Sequence, residues 1–250
     1  MSTSPANTNA STTLVLIPAY NEGASIRHVV EEVRRTCPLM PVLVVNDCSK
    51  DATASEARAA GAEVISLPCH LGLGGCVQTG YKYAYDAGYK SVVRIDGDGQ
   101  HDPRDIARLL EMLETRGVEM VIGVRAAGSN GGFRTSLLRR IGISFFKLLL
   151  RPILGRSVSD PTSGFVAMNR RALEVFSLTF PLEYPEIEAL VVLQRKAFRF
   201  EEVESVMRPR MAGRSSITPV KSVYFVLHVL LGVFVNILRY DGAHARGQGR

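Results

Sequence analysis

The chain has 250 residues, of which 46% are hydrophobic and 22% charged, and its formal net charge is +6. That is enough apolar material for one α/β domain, alone or with an appendage. A modest basic excess, with no Trp and no RNP-like or helix-turn-helix pattern, argues against nucleic acid. The basic residues between Arg125 and Arg171 suit a solvated surface, an anionic substrate or a membrane face.

Residues 1–12 are Ser, Thr, Asn, Pro and Ala after the initial Met. They read as a disordered tail rather than a signal peptide, and residues 242–250 look equally loose. Thr13 to Pro18 is a short apolar strand. Ala24 to Thr36 is helical, with Ile26, Val29, Val30 and Val33 on one face. Val42 to Val45 is a second strand, Asp51 to Ala60 an Ala-rich helix, and Ala62 to Leu67 a third strand. Gly75 to Ala87 is a helix stopped by Gly88. Val92 to Ile95 is the fourth strand, Pro103 to Thr115 a helix with Pro near its start, and Glu119 to Val124 the fifth strand. The second half is less regular. Leu137 to Leu150 is an apolar helix with basic punctuation, Gly164 to Met168 a strand, Glu186 to Lys196 a helix and Phe200 to Val206 a strand. A basic loop, Met207 to Ser216, comes next. The four cysteines (Cys37, Cys48, Cys69 and Cys76) form no C-x-x-C pair, which suits a reducing compartment. The spacing of Cys69, His70 and Cys76 fits no zinc pattern.

Short strands alternating with helices imply βαβ units and a mostly parallel sheet, in which ligands bind beyond the carboxyl ends of the strands. The residues just past each strand are therefore informative. After the first comes Pro18-Ala19-Tyr20-Asn21-Glu22-Gly23, and after the second Asn46-Asp47-Cys48-Ser49-Lys50-Asp51-Ala52-Thr53. After the third come Gly72, Gly74 and Gly75, and after the fourth Asp96-Gly97-Asp98-Gly99-Gln100-His101-Asp102. Turn and capping preferences explain any one of these clusters but not all four at one edge. Asp96 and Asp98, two apart on an extended segment, share a face, and the flanking glycines allow a ligand to approach closely. Two carboxylates suit Mg²⁺ or Mn²⁺, ions that complete their shell with substrate phosphates and water. The bland alternative is an Asx-rich turn capping the helix near Pro103.

These stretches resemble family 2 glycosyltransferases, especially their dolichol-phosphate mannosyltransferase-like branch. The matching segments are Ile17 to Glu22, Val45 to Thr53, Asp96 to His101, Asp160-Pro-Thr-Ser-Gly-Phe165 and Arg210-Met-Ala-Gly-Arg-Ser215, spanning about residues 13 to 216. The resemblance implies a GT-A type α/β domain, a mostly parallel sheet flanked by helices, over residues 13–216. It implies a nucleotide pocket lined by Pro18, Ala19, Tyr20, Glu22, Gly74, Asp47 and Asp96, and a metal held by Asp96, Asp98 and Gln100. It further implies that Arg125, Arg140, Ser144, Arg210 and Ser215 meet anionic phosphates, a task suited to the arginine fork. The chain departs from the family pattern at Asn46-Asp47, where two acids are usual, and at Val124, which replaces a serine. The Q-x-x-R-W signature of processive synthases is absent, so single-sugar transfer is expected.

The expected activity is inverting, metal-dependent transfer from a nucleoside diphosphate sugar to polyprenyl phosphate or a lipid-linked saccharide, at the cytoplasmic face of a membrane. A phosphate acceptor is already an anion. A hydroxyl acceptor would need a general base, for which Asp160, Glu186 and Glu188 are the candidates. Rival readings are a sugar nucleotidyltransferase, which usually opens with a Gly-rich basic loop unlike Tyr20-Asn21-Glu22, and a dinucleotide oxidoreductase, whose glycine fingerprint is broken here. A membrane-docked scaffold is the non-enzymatic alternative. Residues 217–241 include an almost wholly apolar stretch, Val223 to Leu238, interrupted by His228 and Asn236 and flanked by Lys221 and Arg239. A membrane span needs roughly 20 apolar residues. An interfacial C-terminal helix, or one packed on a second subunit or membrane protein, fits this stretch better.

Overall fold

Seven strands build one mixed sheet in the order β3-β2-β1-β4-β6-β5-β7. They are β1 (Thr13–Ala19), β2 (Val42–Asn46), β3 (Glu63–Ser66), β4 (Ser91–Arg94), β5 (Met120–Arg125), β6 (Val166–Asn169) and β7 (Phe200–Ser205). The computed structural model describes residues 12–125, 144, 147–148 and 150–209. The N-terminal tail up to residue 11, Arg140, Arg210, Ser215, most of the expected helix over 137–150 and everything from residue 210 onward lie outside the described residues. Among the described residues, no helix is long and apolar enough to cross a membrane.

The inner strand β1 is buried along its whole length, as a parallel strand covered on both faces must be. Its side chains alternate between two cores. Leu14 and Leu16 pack with Val77, Tyr81 and Phe176 on one face. Val15 and Ile17 pack with Val29, Val33 and Leu109 on the other. The second face is covered by α1 (Ile26–Thr36), α2 (Thr53–Ala59) and α4 (Asp105–Thr115). The first is covered by α3 (Gly72–Asp86), α5 (Arg170–Leu178) and α6 (Pro185–Arg195).

The structure adds three things to the expected elements. Helix α3 begins at Gly72, three residues before the expected Gly75. Three glycines in a first turn oppose helix formation, but Gly72 takes a positive φ of 77° that favours glycine, and Gly74 and Gly75 have no room for a side chain. A Cβ on Gly74 would collide with the backbone of Pro181 and Leu182, and one on Gly80 with the Leu16 side chain. Helix α5 has no counterpart among the expected elements. Asn169 caps it, accepting hydrogen bonds from the N–H groups of Arg171 (3.0 Å) and Ala172 (3.1 Å). Finally, β6 runs antiparallel between β4 and β5, with Arg94 opposite Val166 and Ile122 opposite Val166 on the other side.

This last feature positions the site. Strands β1, β2, β3 and β4 are parallel, so their carboxyl ends share one edge. Chain order reverses at β1, and the crevice between β1 and β4 is the place where such sheets bind ligands. Because β6 is antiparallel, the segment preceding it, residues 160–165, reaches the same edge.

Candidate active site

The loops after β1 and β2 are laced together. Ser49 Oγ accepts from the Asn21 N–H (2.9 Å) and Asn21 Oδ1 from the Lys50 N–H (2.9 Å). Thr53 Oγ1 accepts from the Glu22 N–H (2.9 Å) and Asp51 Oδ2 from the Gly23 N–H (2.9 Å). Asn21 and Cys48 hold positive φ angles of 54° and 58°, a conformation non-glycine residues rarely adopt, at these two bends. Ser25, at the head of α1, donates to Gly97 O at 2.8 Å and so ties the first loop to the Asp96–Gly99 turn.

At the far side of the crevice Asp47 is buried, and both its oxygens are engaged. The Leu71 N–H donates to Oδ1 at 2.7 Å, and His70 Nδ1 lies 2.8 Å from Oδ2. The His70 ring stacks on Tyr20 with centroids 4.2 Å apart. Tyr20, Asp47 and the start of α3 thus stand together beyond the carboxyl ends of β1 and β2, with Pro18 and Ala19 buried in β1. Cys76 stays in the core, its thiol pushed up to about 12 by burial and the Asp47 charge, and donates to Val45 O. It does not join Cys69 and His70 as a metal set.

Asp96 and Asp98 stand one residue apart in the turn after β4. Asp98 is buried and its Oδ1 accepts from the Gln100 N–H at 2.9 Å. Asp96 is partly exposed. His101 Nε2 lies 3.1 Å from its Oδ2, and Arg94 Nη2 lies 3.5 Å from its Oδ1. Burial opposes ionisation of Asp96, but the His101 hydrogen bond and the Arg94 charge outweigh it and hold the carboxyl well below the usual range. Asp96 is therefore an anion at any physiological pH. Among the described residues, no three His, Cys, Asp or Glu side chains converge on one ion. Two hard carboxylates and a nearby Gln fit an ion that takes its remaining ligands from substrate phosphate and water.

The acids expected as bases are differently placed. Asp160 is buried and accepts from Thr162, both N–H (3.0 Å) and hydroxyl (2.7 Å). Glu186, in the first turn of α6, accepts from the buried Arg94 at 2.6 Å. Glu188 is buried and turned back to the Tyr184 N–H at 3.3 Å. Arg125 ends β5 half-buried, its Nη2 3.3 Å from Met207 Sδ. Ser144 is exposed on a helix, and Gly74 serves the packing of α3.

Sequence reasoning missed Arg94, His70, His101 and Arg208. Arg208 clamps Glu32 (2.8 Å) and Asp102 (2.8 Å), and its N–H donates to Gln100 O at 2.8 Å. It straps the end of β7 to the Asp98–Asp102 loop. For His70 and His101 a signal existed, since both come after strands that end at the active edge. For Arg208, and for the pairing of Arg94 with Glu186, none did, because those partners are far away in sequence.

The model of glycosyl transferase family 2 matches residues 14–176. The chain belongs to glycosyl transferase family 2. Within that family it is 33% identical over 174 residues to polyprenol monophosphomannose synthase of Mycolicibacterium smegmatis, covering 67% of this chain and 65% of that protein. It is 32% identical to undecaprenyl-phosphate mannosyltransferase of Micrococcus luteus, covering 66% of this chain and 69% of that one. The chain thus spans just under two thirds of the first of these relatives. The family 2 fold also appears in glucosyl-3-phosphoglycerate synthase from Mycobacterium tuberculosis, solved with Mn²⁺, uridine diphosphate and glucosyl-3-phosphoglycerate. The likeness has a TM-score of 0.67 at 26% identity and covers 90% of this chain and 79% of that one. The architecture is thus the GT-A type that the motifs implied.

Proposed function

We propose that this family 2 glycosyltransferase moves one sugar, with inversion, from a nucleoside diphosphate sugar to polyprenyl phosphate at the inner face of a membrane. A phosphate oxygen of the acceptor attacks the anomeric carbon from the side opposite the diphosphate. The bond to the diphosphate oxygen breaks, and the nucleoside diphosphate leaves with that electron pair. Tyr20 and Asp47 bind the nucleoside, while Asp96 and Asp98, with Gln100, hold a divalent ion, Mn²⁺ or Mg²⁺. When bound, such an ion neutralises charge building on the departing diphosphate. Arg125, with Arg140 and Arg210, receives the acceptor phosphate.

One observation carries the choice of acceptor. Of the three carboxylates that could deprotonate a hydroxyl, Glu186 is taken up by the buried Arg94 at 2.6 Å, Glu188 turns back to the Tyr184 N–H, and Asp160 Oδ1 accepts from Thr162 in its own turn. An anionic phosphate needs no base. The names of the two bacterial relatives, polyprenol and undecaprenyl phosphate sugar synthases, support the same acceptor. A second reading rests on the Mycobacterium tuberculosis structure, whose product is a sugar on phosphoglycerate. It would make the acceptor a small phosphorylated hydroxyl compound.

The test is a panel of UDP- and GDP-sugars with Mn²⁺ or Mg²⁺. Nucleoside diphosphate release is scored alone, with polyprenyl phosphate in detergent, and with 3-phosphoglycerate. Release stimulated by polyprenyl phosphate, with a chelator-sensitive rate, is expected. Stimulation by phosphoglycerate alone would replace the first reading with the second.

A further inference from the structure

Arg94 is the last residue of β4, two positions before Asp96, so both side chains leave the strand on one face. Its side chain is 3% exposed and lies beneath the turn among Tyr81, Phe176 and Phe180. A guanidinium there has lost its water and needs carboxylate partners. It has two, held unequally. Nη2 donates to Glu186 Oε1 at 2.6 Å and only reaches Asp96 Oδ1 at 3.5 Å. Its Nε has no hydrogen-bond partner. Gly164 closes the arrangement from the β6 side. A Cβ there would lie 2.7 Å from Arg94 Nη2 and 2.8 Å from Asp96 Oδ1.

The inequality has a chemical consequence. Were Asp96 the only acid in reach, the buried guanidinium would draw it down and neutralise it. Glu186 prevents this. It is delivered by the first turn of α6, where Pro185 starts the helix and the helix dipole favours a carboxylate. It takes the short, strong contact. Asp96, partly exposed, is left with a loose contact to Arg94 and a hydrogen bond to His101. We propose that Glu186 is a positioning residue. By pairing with Arg94 it leaves the Asp96 carboxylate available to the metal–nucleotide complex, and it does not act as a base toward the acceptor. The inference rests on the proposed donor site but not on the identity of the acceptor.

The test measures binding, using the full chain with Mn²⁺ and either UDP or GDP in a calorimetric titration. Glu186→Gln is expected to weaken metal-dependent nucleotide binding roughly ten- to hundredfold, the scale of a lost hydrogen bond to a charged group. KM for the donor should rise more than kcat falls, and the pH–rate profile should keep its shape. The decisive variant is Arg94→Met with Glu186→Leu. It removes both charges together, and binding should return to within a few-fold of wild type, because Asp96 keeps His101. If Glu186→Gln does not fold, this double variant alone carries the test. Native nucleotide affinity in Glu186→Gln would overturn the inference. So would a double variant that melts at the wild-type temperature yet binds as weakly as the single one. A wild-type chain that binds neither nucleotide with metal would instead remove the donor site, and the proposed function with it.

Discussion

Asp98 has little freedom: it is 5% exposed and its Oδ1 is aligned by the Gln100 N–H. A carboxylate held this way loses little entropy on meeting an ion. Asp98→Ala is therefore expected to lower transfer by roughly 10²–10³-fold, the scale of removing one partner of transition-state charge. Metal-dependent nucleotide binding should fall with it. Turnover near the wild-type rate in Asp98→Ala would show that the ion sits elsewhere. Gly164 is a different kind of constraint. No side chain fits between it and the Arg94–Asp96 pair, and Arg94 cannot retreat without breaking its contact with Glu186. Gly164→Ala should fold, because its neighbours at fault are side-chain ends, yet lose about tenfold or more in activity by shifting Asp96. A crystal structure or a donor KM that matches wild type would contradict this.

At the scale of elements, the loops after β1 and β2 act as one unit because Asp51 joins them. Its carboxylate accepts from the N–H groups of Gly23 and Thr53 and from the Thr53 hydroxyl. Partial burial opposes its ionisation, but the hydrogen bonds from Thr53 and Gly23 outweigh that and lower its pKa. A lowered carboxylate pKa stabilises the fold above the unfolded value, about 3.9, and that contribution disappears as pH falls through the folded value. Asp51→Asn should thus be less stable than wild type at neutral pH, by at most about 1 kcal/mol because the site is exposed. The gap should close below about pH 4. Denaturant unfolding of both proteins at pH 7 and pH 3 checks this, and an equal gap at the two pH values would refute it. Elements also explain what could be read in advance. The strands β1 and β2 are mostly apolar runs and β4 a shorter one ending at Arg94, each with a polar cluster after it, so strand and loop announce each other. Strand β6 has no such cluster after it. It runs antiparallel, and its polar segment, residues 160–165, comes before it. Apolar patterning carries no direction, so this could not be read in advance. Nor could the Arg94–Glu186 pair, whose members are 92 residues apart and meet only once β6 and α6 are in place.

At the scale of the molecule, the described residues include all seven strands of the sheet and both of its cores, together with the Tyr20–Asp47 cluster, the Asp96–Asp98 turn and all three candidate acids. Residues 217–241 lie outside the described residues. Their sequence nevertheless places Val, Leu, Phe and Ile on every side of a helix between Val223 and Leu238. In water such a helix would expose more apolar surface than a soluble monomer tolerates, and we propose that lipid, a second subunit or a membrane protein covers it, with the chain's own core as the alternative. On the proposed function the acceptor is a polyprenyl phosphate, which its chain confines to the bilayer, and the transferase would have to meet it there. On that proposal Lys221 and Arg239, at the two ends of the apolar stretch, would supply attraction to anionic headgroups, at about 1 kcal/mol for each basic residue near the surface. Truncation before Lys221 is therefore expected to leave a folded core that binds nucleotide with native affinity. The same truncation should sediment less with vesicles containing anionic lipid. Transfer to polyprenyl phosphate in those vesicles should fall more than hydrolysis of the donor. A short-chain, water-soluble prenyl phosphate should escape the penalty, since it reaches the crevice without a membrane. Equal vesicle binding by the full and truncated chains would assign the segment to a protein contact, and a truncated chain that fails to fold would assign it to the core.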